Sequence, residues 1–518
     1  MNESQIVNAF LCPEFYDHPV EHIELVETHI SWVFLTGGFA YKLKKPINFG
    51  FLNFSSLEQR QYYCQQELAL NSRFAPEIYL DVLSVTKKNN QFTLGGPGEI
   101  VDYVVKMQQF DHNCLLEKLV KNHRLKLNHI DDLIAIVADF HEQIAIVDPE
   151  LDFGSQQAVI NPVEENFSIL HSILADVQIE PGEQQLLDSL HTDMLAMFQS
   201  IRPQLFRRKQ EGHIRECHGD LHLGNITLID DKVQLFDGIE FNDSLRWIDT
   251  ISDCAFLIMD LQDHEQRLFA HHFLNGYLLK CGDYSALFLL TFYKFYRAMV
   301  RAKVAGLKLP QQGAESSAYK NTLKELNSYL NLAQSYVREY QQTRRKFLAI
   351  SFGLSGSGKS WISSQLADQL EAIQLRSDVE RKRLFAENDN RLYSDATTEH
   401  TYRHLLATSE VVLAAGYAVI VDATFLDKQW RQQFRALAEQ LQIPFHILSC
   451  HARQETIRQR LKLRETQNDN VSDADIIVME KQRQKMQTLD VSEKQYEIFI
   501  DTEKALDYAA ITQQILKK

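Results

Sequence analysis

The chain has 518 residues, 45% of them hydrophobic and 24% charged, a balance that fits a soluble globular protein of about three domains. Seven scattered cysteines, odd in number and without a Cys-x-x-Cys pair, exclude a disulfide framework and a zinc cluster and point to reduced thiols in a cytoplasm. Residues 341–518 hold 25 Lys and Arg against 24 Asp and Glu, a net of +1, while the remaining 29 against 45 give −16 over residues 1–340. The first two-thirds would therefore repel a polyanion, which makes nucleic acid an unsuitable partner there.

Met1 to Gln5 lacks the basic start and apolar core of a signal peptide, so the expected location is cytoplasmic. From Ser31 the pattern turns strand-like: Trp32-Val33-Phe34-Leu35, a turn at Thr36-Gly37-Gly38, then Phe39 to Leu43. Leu57 to Phe74 reads as a helix and Ile100 to Gln108 alternates as a strand. Leu115 to Gln210 is helical, with interruptions expected near Asp148-Pro149 and Asn161-Pro162.

The stretch His218-Gly219-Asp220-Leu221-His222-Leu223-Gly224-Asn225 follows, then the short strand Val233 to Asp237. Phosphoryl transfer needs a carboxylate beside the acceptor hydroxyl and oxygen ligands that hold Mg²⁺ against the phosphates. Asp220 suits the first task, and Asn225 and Asp237 suit the second. Asp249 and Asp253 are candidates for bonding the backbone of this loop, with helix caps and ion pairs as their commoner fate. The richest apolar run, Tyr284 to Met299, is broken by Lys294 and Arg297, so a buried helix is expected and a membrane span is not. The adjacent His271 and His272 point to different helix faces and read as structural. Helices over 251–300 and 317–341 complete this half.

A basic step, Thr343-Arg344-Arg345-Lys346, marks the expected boundary, giving domains 1–340 and 341–518. The strand Phe347 to Phe352 runs into Gly353-Leu354-Ser355-Gly356-Ser357-Gly358-Lys359-Ser360 and then an amphipathic helix. Strand, glycine loop and helix in that order form a phosphate-binding loop, with backbone N–H groups closing on the anion. Lys359 would reach the β- and γ-phosphates and Ser360 would hold Mg²⁺. Ile373 to Asp378 reads as a strand ending in an acid, with Arg381 three residues on. Ala418 to Asp422 is a buried strand whose terminal acid would assist Mg²⁺, with Thr424 a weaker neighbour. After a further strand, 445–450, come Arg453, Arg458, Arg460 and Arg464, the last two sharing a helix face, and then the polar Gln467 to Asn470. A fifth strand covers 496–501.

The hairpin with its lysine resembles the nucleotide lobe of protein-kinase-like folds. That resemblance implies that Lys42 holds the α- and β-phosphates and Glu67 is its ion-pair partner. Lys44, Lys45 and Glu58 are competitors, and two plain surface charges are the alternative. The order Asp220, Asn225, Asp237 is that of a kinase catalytic loop, but Gly219 stands where those kinases carry an arginine. In this, residues 30 to about 335 resemble aminoglycoside phosphotransferases and related small-molecule kinases, with an N-lobe of about 25–110 and a C-lobe of about 111–335. The Ser-Asp-x-x-Arg arrangement at 377–381 resembles P-loop kinases of the polynucleotide-kinase, zeta-toxin and gluconate-kinase kind. There the acid corresponding to Asp378 takes the acceptor's proton and the arginine corresponding to Arg381 grips an acceptor phosphate or carries transition-state charge. A helix cap with a surface arginine is the alternative. Arg460 and Arg464 would close on the triphosphate as a lid, or face solvent.

The whole chain resembles the bifunctional aminoglycoside phosphotransferase/ATP-binding proteins. The expected fold is an α+β bilobal kinase-like domain followed by an α/β P-loop domain with a five-stranded, mainly parallel sheet. ATP and Mg²⁺ are the expected cofactors and small-molecule hydroxyls the expected acceptors, with no membrane and no obligate protein partner. The acidic first domain favours neutral or cationic acceptors. The cluster Arg376, Arg381, Lys382 and Arg383 favours an anionic one for the second, a nucleic-acid 5′ end included. The alternative is that one domain is a nucleotide-gated regulatory module and only the other is catalytic.

Overall fold

The computed structural model describes every residue except 1–2, 49–51, 177–180, 314–315, 343–344, 386–393, 466–475 and 518. The chain forms two compact units, one of residues 1–266 and 293–333, the other of residues 267–292 and 334–518.

The first unit begins with helix α1 (Glu3–Phe10) and an antiparallel sheet of β1 (Glu24–Glu27), β2 (Ser31–Leu35), β3 (Phe39–Lys44), β4 (Tyr79–Lys88), β5 (Gln91–Leu94) and β6 (Glu99–Gln108). Its order is β1-β2-β3-β6-β4-β5. One face packs around Phe10, Phe34, Tyr41 and Val104. Helix α2 (Leu57–Asn71) lies between β3 and β4 in the chain. It starts on a capping box in which the Ser56 hydroxyl accepts from Gln59 N, and Gln59 reaches back to Ser56 N.

Helices α3 (Leu116–Lys121), α4 (Leu127–Gln143), α5 (Gln156–Asp176) and α6 (Pro181–Gln210) follow. The interruption expected at Asn161-Pro162 does not occur, since Pro162 lies inside α5. A proline removes one helical hydrogen bond, and here the buried stripe Val163, Phe167 and Leu170 outweighs that loss. Short strands β7 (Ile214–Glu216), β8 (Ile226–Ile229) and β9 (Lys232–Leu235) carry the central loops, followed by α7 (Asp243–Arg246) and β10 (Trp247–Asp249). Helix α8 (Thr250–Asp263) is buried on all sides from Thr250 to Leu261, which marks it as the centre of the lobe. Unit boundaries fall within α10 (Leu287–Lys308) and α11 (Ser317–Gln341).

The second unit is a five-stranded, all-parallel sheet in the order β12-β13-β11-β14-β15. Its strands are β11 (Leu348–Phe352), β12 (Ile373–Arg376), β13 (Val419–Asp422), β14 (Phe445–His451) and β15 (Glu497–Asp501). The central β11 is buried at every position, as a parallel strand covered on both faces must be. The helices of this unit are α9 (Arg267–Cys281), α12 (Lys359–Leu370), α13 (Ser377–Leu384), α14 (Asp395–Ala414), α15 (Lys428–Gln440), α16 (Gln454–Glu465), α17 (Ile476–Lys485) and α18 (Tyr508–Leu516). Helix α9 reads in sequence as part of the first half, yet it packs within this unit. His271 Nε2 and Asn275 Nδ2 donate to Ala372 O at 3.0 and 3.1 Å, and Gln374 N donates to Asn275 Oδ1 at 3.0 Å. His272 pairs with Asp368 at 2.9 Å. No described helix is long and apolar enough to cross a membrane, and in α10 both Lys294 and Arg297 are buried.

Candidate active sites

In the first unit, strand alternation puts Lys42 and Lys44 on one face of β3. Lys42 Nζ lies 2.8 Å from Glu67 Oε1 and also pairs with Asp237, while Lys44 Nζ lies 2.6 Å from Glu67 Oε2 and pairs with Glu240. Glu67 and Lys44 have no exposed side-chain surface. Burial pushes the Glu67 carboxyl up, but the two ammonium groups outweigh it and hold Glu67 well below the usual carboxylate range. The competitors Lys45 and Glu58 lie elsewhere, Lys45 against Glu27. Lys44 is thus a second member of the site, and Glu240 is a residue the sequence reading missed.

The Thr36-Gly37-Gly38 turn is tied down. Gly37, at φ +94°, donates its N–H to Gln109 Oε1, and Gly38 O accepts from Gln108 Nε2 and Gln109 N.

The loop 218–225 is fixed from below by α8. Asp253 accepts from His218 N and Gly219 N, both at 3.0 Å, and Asp260 accepts from Leu223 N at 2.8 Å. The two aspartates are seven apart and so share one helix face. Asp249 instead binds Arg208 through both carboxylate oxygens and caps α8 at Ile251 N. Arg297 donates to Gly219 O at 3.0 Å. Gly219 has φ +84°, and a Cβ there would stand 2.7 Å from Leu245 O, so no arginine fits at the position where protein kinases carry one.

Within the loop, Asn225 Nδ2 donates to Asp220 Oδ2 and O at 3.0 Å each, and His222 Nε2 stands 3.5 Å from Asp220 Oδ2. Burial pushes the Asp220 carboxyl up, but His222 prevails and holds it well below its ordinary value; Asp220 in turn raises His222 against the effect of burial. The β8–β9 register pairs Ile226 with Leu235, and Phe236 N donates to Asn225 O at 3.0 Å. That pairing delivers Asp237 to the same end as Asn225. Asp237 has φ +61° and its N–H donates to Tyr79 Oη at 3.0 Å, so the loop is bent at the residue that meets Lys42. Asn225, its amide nitrogen committed to Asp220, and Asp237, 41% exposed in its side chain, offer the hard oxygen atoms that Mg²⁺ prefers.

In the second unit the glycine loop bends as an anion cradle must. Gly353, Gly356 and Gly358 have φ of +145°, +84° and +92°. A Cβ on Gly353 would stand 2.6 Å from Cys450 O and 2.9 Å from Ser357 Oγ. Ser357 Oγ is buried with no hydrogen-bond partner among the described residues. Lys359 Nζ donates to Leu354 O at 2.9 Å across the loop. Ser355, Gly356, Gly358, Lys359 and Ser360 line one cavity of about 1040 Å³ together with Asp378, Arg381 and Asp422. The β12 strand stops at Arg376, so Asp378 and Arg381 occupy the first turns of α13, where Arg381 Nη1 donates to Asp378 Oδ1 at 2.9 Å. Asp422 accepts from Ser351 Oγ at 3.5 Å and stands 3.6 Å from Arg376. Arg460 donates to Thr502 Oγ1 and O at 2.9 and 2.8 Å, and Thr502 Oγ1 donates to Ser357 O at 2.9 Å, so this arginine is joined to the loop through Thr502. The side chain of Arg464 and the stretch 467–470 lie outside the described residues.

A protein-family model described as an AAA domain matches residues 348–489. Among solved structures, the chain is similar to a choline/ethanolamine kinase family protein from Mesorhizobium loti, at 10% identity over 64% of this chain and 99% of that one, TM-score 0.35. It is also similar to a gluconokinase from Sinorhizobium meliloti, at 16% identity over 34% of this chain and 91% of that one, TM-score 0.25. The uncharacterized protein Rv2004c of Mycobacterium tuberculosis is 30% identical over 471 residues, 88% of this chain and 89% of that protein. The uncharacterized protein Mb2027c of Mycobacterium bovis matches equally. A match of that extent spans both units, and the chain belongs to the same family as these mycobacterial proteins.

Proposed function

We propose that this protein is a double phosphotransferase, in which each unit passes the γ-phosphoryl group of ATP to the hydroxyl of a small molecule. The observation that carries the reading is Lys42, which meets Glu67 of α2 and Asp237 beyond β9 at one point. A buried lysine between two carboxylates is costly for stability alone and suits a phosphate-binding site. In the first unit Lys42 takes the α- and β-phosphates, and Asp220 orients the acceptor hydroxyl through Oδ1, which takes no hydrogen bond among the described residues. The acceptor oxygen forms its bond to the γ-phosphorus as the bond to the β–γ bridging oxygen breaks. The hydroxyl proton passes to Asp220 and ADP leaves. Mg²⁺, held by Asn225 and Asp237, would supply positive charge against the phosphates.

In the second unit the 353–360 loop cradles the triphosphate, with Lys359 on its outer phosphates and Arg460 on their far side. Asp378 receives the acceptor proton and Arg381 steadies Asp378 and the transferring group. Ser360 and Asp422 are the residues that would hold Mg²⁺ there.

The test is titration of the full chain with Mg-ATP by calorimetry, alongside the Lys42→Ala and Lys359→Ala variants and the double variant. Two sites in the parent, one in each single variant and none in the double variant are expected. A parent that binds one nucleotide, lost on Lys359→Ala alone, would remove the first unit from the reading. Transfer of labelled γ-phosphate to a metabolite extract then separates catalysis from regulation in each unit.

A further inference from the structure

The cavity of the second unit extends past the phosphate loop, and its far walls are built for a particular kind of molecule. Trp430 of α15 lines it half-buried, stacked on Tyr402 of α14 with ring centroids 5.1 Å apart and planes at 26°. Tyr402 is itself locked, accepting from Phe425 N at 3.0 Å. The indole is thereby held as a fixed platform.

On the same helix, Gln429 and Gln433 also line the cavity. They are four apart and so share the platform's side. Neither side-chain amide makes a hydrogen bond among the described residues. Each amide can both donate and accept, as can a hydroxyl.

Most of the charges around this space are answered by one another, with Lys481 an exception among the described lining residues. Arg381 pairs with Asp378, Arg403 with Glu399 at 2.5 Å and Lys485 with Asp395 at 3.0 Å. Arg383, expected from sequence to attract an anion, is spent on Glu380, and Arg376 stands beside Asp422. The local arrangement therefore opposes the expectation of an anionic acceptor. An anion at Arg381, Arg403 or Lys485 would have to displace a carboxylate, whereas a neutral molecule need not.

Resting on the phosphotransferase reading of this unit, we propose that its acceptor is an uncharged polyhydroxylated ring compound of the saccharide class. Its C–H face would lie on Trp430 and its hydroxyls would meet Gln429 and Gln433, leaving one hydroxyl for Asp378. Such a ring offers many exchangeable donors and acceptors and an apolar face, the two features this wall provides.

The experiment uses the full chain carrying Asp220→Asn, so that transfer by the first unit is silenced. Labelled ATP is offered with neutral hexoses, pentoses and cyclitols, and in parallel with sugar phosphates, aldonic acids and a 5′-hydroxyl oligonucleotide. Transfer to at least one neutral ring compound, exceeding transfer to every anionic probe, is expected. Trp430→Ala should raise KM for that acceptor about tenfold or more with kcat for it little changed, and Trp430→Phe should restore most of the loss. Gln433→Ala, which leaves the Tyr402 stack in place, should raise the same KM severalfold. Lys359-dependent ATP binding with transfer to anionic probes only, or with no neutral acceptor in the panel, would overturn the inference and leave the nucleotide reading standing. Absence of Lys359-dependent ATP binding would overturn both.

Discussion

Lys44 has no exposed surface and is clamped between Glu67 and Glu240. Removing its charge takes the paired cation from buried Glu240 and leaves Glu67 with Lys42 alone; breaking a buried pair typically costs about 3–5 kcal/mol. Lys44→Met should therefore lower the first unit's urea midpoint strongly, and Glu240→Gln added to it should recover part of the loss. If Lys44→Met unfolds at the parent's midpoint, the pair is not holding the site together. Asp220→Asn should cut first-unit turnover by on the order of 10²–10⁴, the range for a positioned general base, while calorimetry shows its ATP affinity retained; Asp237→Ala should weaken Mg-ATP binding itself. The same Asp220→Asn change tests the histidine beside it. His222 is raised in the folded protein, with Asp220 outweighing burial. Stability from that pair is thus complete below the unfolded value of about 6.5 and is lost as pH climbs through the raised folded value. In Asp220→Asn burial and Arg301 still lower His222 and only the smaller effect of Asp260 raises it, so a histidine NMR titration should find the His222 pKa moved downward. An unchanged midpoint would mean that Asp220 is not the group that raises it.

Helix α9 covers the open edge of β12 in place of another strand. Asn275 reproduces a strand's paired donor and acceptor with one side chain, bonding Ala372 O and Gln374 N together. An uncovered edge is a template for unwanted pairing. The same segment braces the acceptor helix, since Tyr284 Oη donates to Glu380 Oε1 at 2.8 Å, two residues from Asp378. Asn275→Ala should cost the second unit about 1–3 kcal/mol by orphaning the Gln374 N–H, with faster hydrogen exchange at that amide. Unaltered protection at that amide would show that the edge needs no such cover. None of this was legible beforehand, because a side chain that pairs with a strand 99 residues on leaves no local pattern. The five parallel strands were readable, since each is a short apolar run beside turn residues. The phosphate loop was readable too, since its glycines sit where only glycine bends that way. Asp260 could have been suspected from its place seven residues after Asp253, on the same face of a largely apolar helix. Glu240 lies beyond a turn with no period to betray it.

At the scale of the molecule, the formal charge of −16 over residues 1–340 says little about where charge sits. Much of it is consumed internally, in Glu67, Glu240, Asp249, Asp253 and Asp260. The order of the chain matters more. The polypeptide leaves the first unit after Gln266, returns at Tyr293 and leaves again after Ala333. A ribosome adding about 5–20 residues per second finishes α9 seconds before it reaches β12. Through that interval the His271 and Asn275 side chains have no β12 edge to bond. A gene cut at the basic step near 343 would make that interval permanent, yielding one product with a helix for which it has no use and another with a raw edge. A cut that keeps the second unit whole must therefore carry residues 267–292 along with 334–518.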